Sequence, residues 1–222
     1  LTKRSLLKHA GYEYVMTSSP DARGVDVALM YSPFSFRLIR SYGLRIQTIE
    51  GMRPTRDILY VRGETAGGDT LHVFVVHAPS RYGGERLSRQ YRRQVASVVQ
   101  GCLPPEVMAG NVIVAGDFND YADSPSVQQL CGHGLQNVPC RAMGSHGAKG
   151  TYRYQGEWRS IDHVLVSPAI KEKIDTVYIN DADFLLEDEP RYGGKRPSRT
   201  YQGFRYQPAF SDHLPLVVRF AF

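Results

Sequence analysis

No apolar run in this chain approaches the roughly 20 residues that a membrane-crossing helix requires, so no helical span is expected within it and a soluble protein is expected. Cysteine is scarce. Cys102, Cys131 and Cys140 permit one disulfide at most and leave a thiol over, which excludes a disulfide framework and leaves the redox compartment open. Internal repeats and low-complexity tracts are absent as well. The chain begins at Leu1 without an initiator methionine or a signal peptide, as expected of a processed chain or of one cut from something longer. Any targeting signal would lie upstream, so neither compartment nor oligomeric state is legible.

Charge is not lacking. Lys and Arg number 27 against 22 Asp and Glu, a net charge of +5. That moderate excess suits a phosphate-bearing substrate and equally suits an ordinary basic soluble domain. With 222 residues and 42% hydrophobic content, a single domain over residues 1–222 with one large core is expected.

Hydrophobic periodicity places the elements. Leu1 to His9 reads as the tail of a helix, stopped at Gly11. Alternation predicts strands at Tyr12–Met16, Val25–Tyr31, Phe34–Ile39, Leu44–Ile49, Asp57–Arg62 and Leu71–His77. Leu87, Tyr91, Val95, Val98 and Val99 fall at helical spacing, with arginines on the other faces. Asn111–Ala115 suits a buried central strand, and Ser124 as N-cap before Pro125 starts a short helix to Leu130. Strands at Thr151–Tyr154, Ser160–Ser167 and Leu214–Phe222 complete the pattern. Between Asp181 and Phe210 no strong periodicity is found, and a loop of that length is often functional. Many strands with few helices predict an α/β or α+β layered sandwich.

Chemistry gathers at the ends of the apolar runs. Gly116-Asp117-Phe118-Asn119 follows one, Ile161-Asp162-His163 and Ser211-Asp212-His213 precede two others, and His77 closes a fourth. Acidic and imidazole groups at strand ends form the layout that brings metal-binding and proton-moving groups to one mouth. Singly, each trio reads as a turn or a cap, and a lone His77 as a structural histidine. Their ordered combination favours hydrolysis of phosphate esters.

In this order the motifs resemble the endonuclease/exonuclease/phosphatase superfamily of metal-dependent phosphoesterases. Arg23 to Leu29, Thr55-Arg56-Asp57-Ile58-Leu59 and Phe184-Leu185-Leu186-Glu187 resemble an uncharacterised bacterial branch of it. The resemblance implies an α/β fold, a two-sheet sandwich flanked by helices, with the site at one open end and Mg²⁺, or Mn²⁺ as substitute, as the cofactor. It assigns Asp117 to the metal and the attacking water, Asn119 to the metal and the phosphoryl oxygens, and Asp212 to the metal and water network. His213 would act as general base or transition-state stabiliser, oriented by Asp162, and His77 would donate to the phosphate or the leaving oxygen. The family pattern also holds an Asn on its first strand and a metal-binding Glu before its first helix. Neither has a counterpart from Leu1 onward, so an N-terminally truncated domain is expected.

These roles agree with what the reaction needs. Phosphodiesters are anionic, so attack requires positive charge at the nonbridging oxygens and a deprotonated water. Asp and Asn oxygens suit Mg²⁺, and a carboxylate beside histidine fixes its tautomer and raises its basicity. His163 falls on the opposite face by strand alternation and reads as structural.

Candidate substrate contacts are Arg56, whose guanidinium fits phosphate or pairs with Asp57 or Glu64, and Arg153, Tyr154 and Trp158. With Tyr152, and with Arg191, Tyr192, Lys195, Arg196, Arg199 and Tyr201 in the long loop, these interleave basic and aromatic groups able to stack bases, to grip a headgroup, or simply to pack. Arg23 and Asp26 are expected to pair across a turn. Cys131, His133, Cys140 and His146 match no usual zinc spacing. A Mg²⁺-dependent phosphodiesterase or nuclease is thus the leading expectation. Its phosphoester substrate would be nucleic acid, a phospholipid headgroup or a small ester. The alternative is a non-catalytic phosphate- or nucleic-acid-binding module.

Overall fold

Short apolar runs bounded by turn residues become strands, and the alternation of their side chains decides which layer each one faces. The computed structural model describes residues 9–138, 142–203 and 205–222. The helix tail expected before His9, and Cys140, lie outside those residues.

In chain order the strands begin with β1 (Glu13–Met16), β2 (Ala28–Tyr31), β3 (Phe36–Leu44), β4 (Ile58–Thr65) and β5 (Thr70–His77). Helices α1 (Glu85–Gly101) and α2 (Pro105–Met108) lead to β6 (Asn111–Asp117) and α3 (Pro125–Gly132). Then come β7 (Gln136–Asn137), β8 (Tyr152–Tyr154), β9 (Glu157–Arg159), β10 (Asp162–Val166), α4 (Pro168–Lys171) and β11 (Ile174–Ile179). The last stretch holds β12 (Leu186–Asp188), β13 (Lys195–Pro197), β14 (Tyr201–Gln202), β15 (Arg205–Tyr206) and β16 (Leu216–Phe220).

The main sheet runs β3-β4-β5-β6-β10-β7. Only β5 and β6 are parallel, joined through α1; the other neighbours are antiparallel. Phe74, Val76, Val112, Val114 and Leu165 face α1 and α3, where they pack on Val95, Val99, Val127 and Leu130. Leu71, Val73, Val164 and Val166 face the other way and meet β1, β2 and β16. The expected mixed α/β class is therefore present. Its second layer consists of two separate antiparallel pairs, β1-β2 and β11-β16, rather than one continuous sheet.

Several expectations are corrected. The two strands expected over 34–39 and 44–49 are a single β3 with a register shift between Leu38 and Arg40. Beyond Leu44, Ile46, Ile49 and Met52 turn into the helix-side core instead of pairing. The supposed loop over 181–210 contains a 3₁₀ turn (Asp183–Leu185) and two short antiparallel pairs, β12-β13 and β14-β15. Strands of two or three residues leave no readable period. Ser124 does precede α3, but its Oγ accepts the Tyr121 N–H at 3.0 Å rather than capping its own helix. Arg23 meets Asp21, whereas Asp26 accepts from Thr17 and the Ser19 N–H.

Candidate active site

Sheet register assembles the site. His77 ends β5 directly opposite Asp117 on parallel β6, and Asp117 is paired with Asp162 on antiparallel β10. Register partners on adjacent strands point to one face, here the face opposite the helices, just past the β1-β2 and β11-β16 layer. A bridge between Tyr152 and His213, with the Leu214 N–H donating to Thr151 O at 2.7 Å, brings the chain's last motif alongside.

The turn after β6 depends on backbone that few residues tolerate. Gly116 has φ +138°, and a Cβ there would lie 1.9 Å from Val76 O. Asn119 takes φ +50°, the left-handed region that Asn enters more readily than most. Asp117 Oδ1 accepts the Asn119 N–H at 2.7 Å. The Asn119 side-chain amide donates to Asp117 Oδ2 and to Ala78 O, both at 3.0 Å. Both partners are acceptors, which fixes the orientation of the amide. Asn119 thus holds Asp117 in place through its NH₂.

His213 donates from Nδ1 to Asp162 Oδ2 at 2.8 Å, and the Thr151 hydroxyl donates to the same oxygen. Burial alone would lower the His213 pKa. The hydrogen bond to Asp162 and the charges of Asp162 and Asp117 outweigh it and raise the imidazole to about 9. His77 goes the opposite way, down to about 4, through burial and the positive charge of Arg56, Arg23 and His213. Its Nε2 lies 3.6 Å from Asp117 Oδ2. Burial and the neighbouring Asp162 push Asp117 up to about 7. One atom each of Asp117, Asp162 and His213 lie within 4.8 Å of one another, the only cluster of metal-ligating groups among the described residues.

These residues floor a cleft of about 900 Å³. Arg56 is buried in its wall, with Nη1 on Asp21 at 3.1 Å and Nη2 on Ala78 O at 2.9 Å. It pairs with neither Asp57, which meets Arg45, nor Glu64, which meets Arg37. Asp212 borders the cleft but is half-exposed and paired with Arg199 at 3.2 Å. Tyr154 lines the opposite wall beneath the Arg159 guanidinium.

Neither Arg153 nor Trp158 lines the central cleft, although Arg153 lines a groove that adjoins it at Tyr152, Tyr154 and Asp212. Arg153 donates to the carbonyls of Gly156, Gly193 and Lys195 and lies over the Trp158 ring, tying β8-β9 to the long loop. His163 faces the helices, buried between Asp120 O and Asn137. Cys131, His133 and His146 do not converge among the described residues.

Sequence reasoning missed Thr151, Arg81, Tyr121 and Arg159. Arg81 stacks on Tyr121, whose hydroxyl accepts from Arg159 at 2.8 Å, and all three border the cleft. No motif marks them; their only sequence cue is nearness to His77 for Arg81, to Asn119 for Tyr121 and to Asp162 for Thr151 and Arg159.

A family model described as Endonuclease/Exonuclease/phosphatase family matches residues 1–221. No curated protein sequence matches. Among solved structures, an endonuclease/exonuclease/phosphatase family protein from Bacteroides thetaiotaomicron superposes with TM-score 0.65 at 18% identity, covering 94% of this chain and 74% of that one. A mannosyl-6-phosphatase from the same organism gives 0.62 at 18% identity, covering 96% and 78%. D. rerio TDP2 complexed with single-strand DNA product gives 0.59 at 16%, covering 97% and 78%.

Proposed function

Because this chain belongs to the endonuclease/exonuclease/phosphatase family, we propose that it is a divalent-metal-dependent phosphodiesterase. The carrying observation is the row His77, Asp117 and Asp162 on three adjacent strands, with His213 hydrogen-bonded to its end.

The donor set fits a hard divalent cation. Two carboxylates converge beside the His213 imidazole, which is not itself a ligand, and burial beside Asp162 disfavours charge on Asp117, a crowding of negative charge that a cation relieves. Mg²⁺ or Mn²⁺ held by Asp117 and Asp162 would polarise the phosphoryl group and acidify a water.

The protein's own groups supply the rest. Asp117, fixed by Asn119, offers a carboxylate to receive the proton of the attacking water. His213 keeps Nδ1–H on Asp162, which leaves Nε2 for a phosphoryl or leaving-group oxygen. An imidazolium there opposes the charge that builds in the transition state. His77 contributes a hydrogen bond beside Asp117. Arg56 adds fixed positive charge, since its partners hold the guanidinium against reorientation.

The two named neighbours act on, or hold the product of, phosphate-bearing compounds as chemically distant as a phosphorylated sugar and single-strand DNA. They support the ester class and leave nucleic acid, a phospholipid headgroup and a small phosphoester as the range. Walls on both sides of the cleft favour a diester over a monoester. The test is hydrolysis of bis(4-nitrophenyl) phosphate with Mg²⁺ or Mn²⁺, beside EDTA and Asp117→Ala controls. Turnover abolished by both supports the reading. A folded protein that binds phosphate without turnover is instead the non-catalytic module.

A further inference from the structure

The cleft has two flanks of opposite character. Beyond Tyr152, Tyr154 and Asp212 it continues into a groove of about 430 Å³ bordered by Glu189, Arg196, Arg199 and Gln202. Beyond Arg23, Arg56, Ser80 and Tyr82 it continues into a second cavity of about 430 Å³ with a different lining. There Met52, Pro54, Pro79, Leu87 and Tyr91 provide apolar walls.

Two polar groups in those walls lack partners. Thr55 and Arg56 are both buried, and neither Thr55 Oγ1 nor Arg56 Nε has a hydrogen bond. A buried hydroxyl or guanidinium N–H without an acceptor is costly, and such groups normally find one. Arg56 borders the cleft and the side cavity at once, so a molecule held in the cleft reaches the side cavity past this residue.

Resting on the phosphodiesterase reading, we propose that the side cavity is a subsite for one ester substituent of the substrate. The group it takes is a compact planar ring with a hydrogen-bond acceptor on its edge. The apolar walls cover the faces of such a ring, and a small shift of the Thr55 and Arg56 side chains, whose unpartnered atoms are buried, brings them to its acceptor. An acyl chain would leave both donors unmet. A bare sugar would leave the apolar walls uncovered and matches the polar groove on the other flank. Tyr82, 91% exposed at the junction of cleft and cavity, is placed to close over the ring. The substrate is accordingly an asymmetric phosphodiester with a ring on the Arg56 side and a polar group on the Tyr152 side.

A nucleobase and an aryl alcohol share this chemistry. Calorimetric binding of methylphosphonate, 4-nitrobenzylphosphonate and a uridine phosphonate tests it, since their carbon–phosphorus bonds are not cut. The ring compounds should bind at least about tenfold more tightly than methylphosphonate. The tighter of the two identifies the source of the ring. Leu87 is half-exposed on α1, so Leu87→Trp fills the cavity without disturbing the core. It should erase the ring's advantage while leaving methylphosphonate binding unchanged. Thr55→Val should weaken 4-nitrobenzylphosphonate severalfold and spare its unsubstituted benzyl analogue. Equal binding of all three probes, or a ring advantage untouched by Leu87→Trp, overturns the subsite alone. Absence of any phosphonate binding removes the cleft reading and this proposal with it.

Discussion

Asp117 and Asp162 are register partners on antiparallel β6 and β10, and each carries its own hydrogen-bonded partner: Asn119 at 3.0 Å and His213 at 2.8 Å. Two carboxylates face each other across one ladder step, each steered by a neutral or cationic donor from a different loop. The sheet fixes their separation, and the loops fix their orientation. Disturbing a loop partner should therefore alter rate more than fold, whereas disturbing the ladder should alter both.

Asp162→Ala removes the acceptor that holds His213 Nδ1–H. Loss of an oriented acid–base group lowers turnover by about 10²–10⁴-fold, and kcat on bis(4-nitrophenyl) phosphate should fall within that range. KM should change much less. A fall carried by KM instead would make Asp162 a binding group.

Asn119→Ala should act differently, because Asn119 positions Asp117. It removes both amide donors and places alanine at φ +50°. Activity should fall, and Asn119→Gly, which keeps the backbone free to adopt that φ, should recover stability but not rate. Denaturant midpoints read beside kcat separate the two effects.

Gly116→Ala attacks the ladder itself. A Cβ 1.9 Å from the Val76 carbonyl forces β5 and β6 apart where they carry His77 and Asp117. Strain of this kind belongs to the mechanisms that produce losses of about 3 kcal/mol or more. Urea unfolding should show that loss, and retained stability would mean the strands can shift.

The row of His77, Asp117 and Asp162 was legible because each member bounds an apolar run; only register, which makes them neighbours, was not written in any one segment. Asp212 was legible only as the neighbour of His213. It borders the cleft beside His213, with its carboxylate paired to Arg199. Arg153 and Trp158 stood out by residue type, and the structure shows the Arg153 guanidinium held by the carbonyls of Gly156, Gly193 and Lys195 at the side groove. Thr151 was invisible because a single hydroxyl carries no pattern. In the fold, β4, β5, β6, β10 and α1 were readable from strong periodicity. The 3₁₀ turn and the two- and three-residue strands after Asp181 were not, since long-range pairing rather than local preference creates them.

Arg92 is fully buried on α1 and pairs with Asp120, also fully buried, at 2.8 Å. Asp120 follows Asn119, and its carbonyl accepts from His163, so this pair anchors from below the turn that carries Asn119. Without Arg92, Asp120 keeps Arg81 at 3.5 Å and the Ser126 hydroxyl, so the loss should lie below the about 3–5 kcal/mol of a fully stranded buried charge. Arg92→Met should show that loss in denaturant unfolding. Adding Asp120→Asn should return part of it, because the buried carboxylate left with only the more distant Arg81 as a cationic partner is then neutral. Failure of the double variant to recover would mean that the packing of the guanidinium matters more than its charge.

Asp181 gives a pH test remote from the cleft. Burial alone would raise its pKa, but the N–H groups of Ala148 and His146 and the His146 imidazole outweigh it and hold the carboxyl below the usual range. Gly144 permits this approach, since a Cβ there would lie 2.1 Å from the carboxylate. With the folded pKa below the unfolded one, the unfolded chain binds more protons, so stability from this group rises with pH. It is complete above the unfolded value of about 3.9 and is lost as pH falls through the folded value. Asp181→Asn should therefore cost about 1–3 kcal/mol at pH 7, with the gap to wild type closing below about pH 4. Urea midpoints of both proteins from pH 7 to pH 2.5 measure it. A gap that stays constant across that range would show that the side chain acts through shape and hydrogen bonding rather than through its charge.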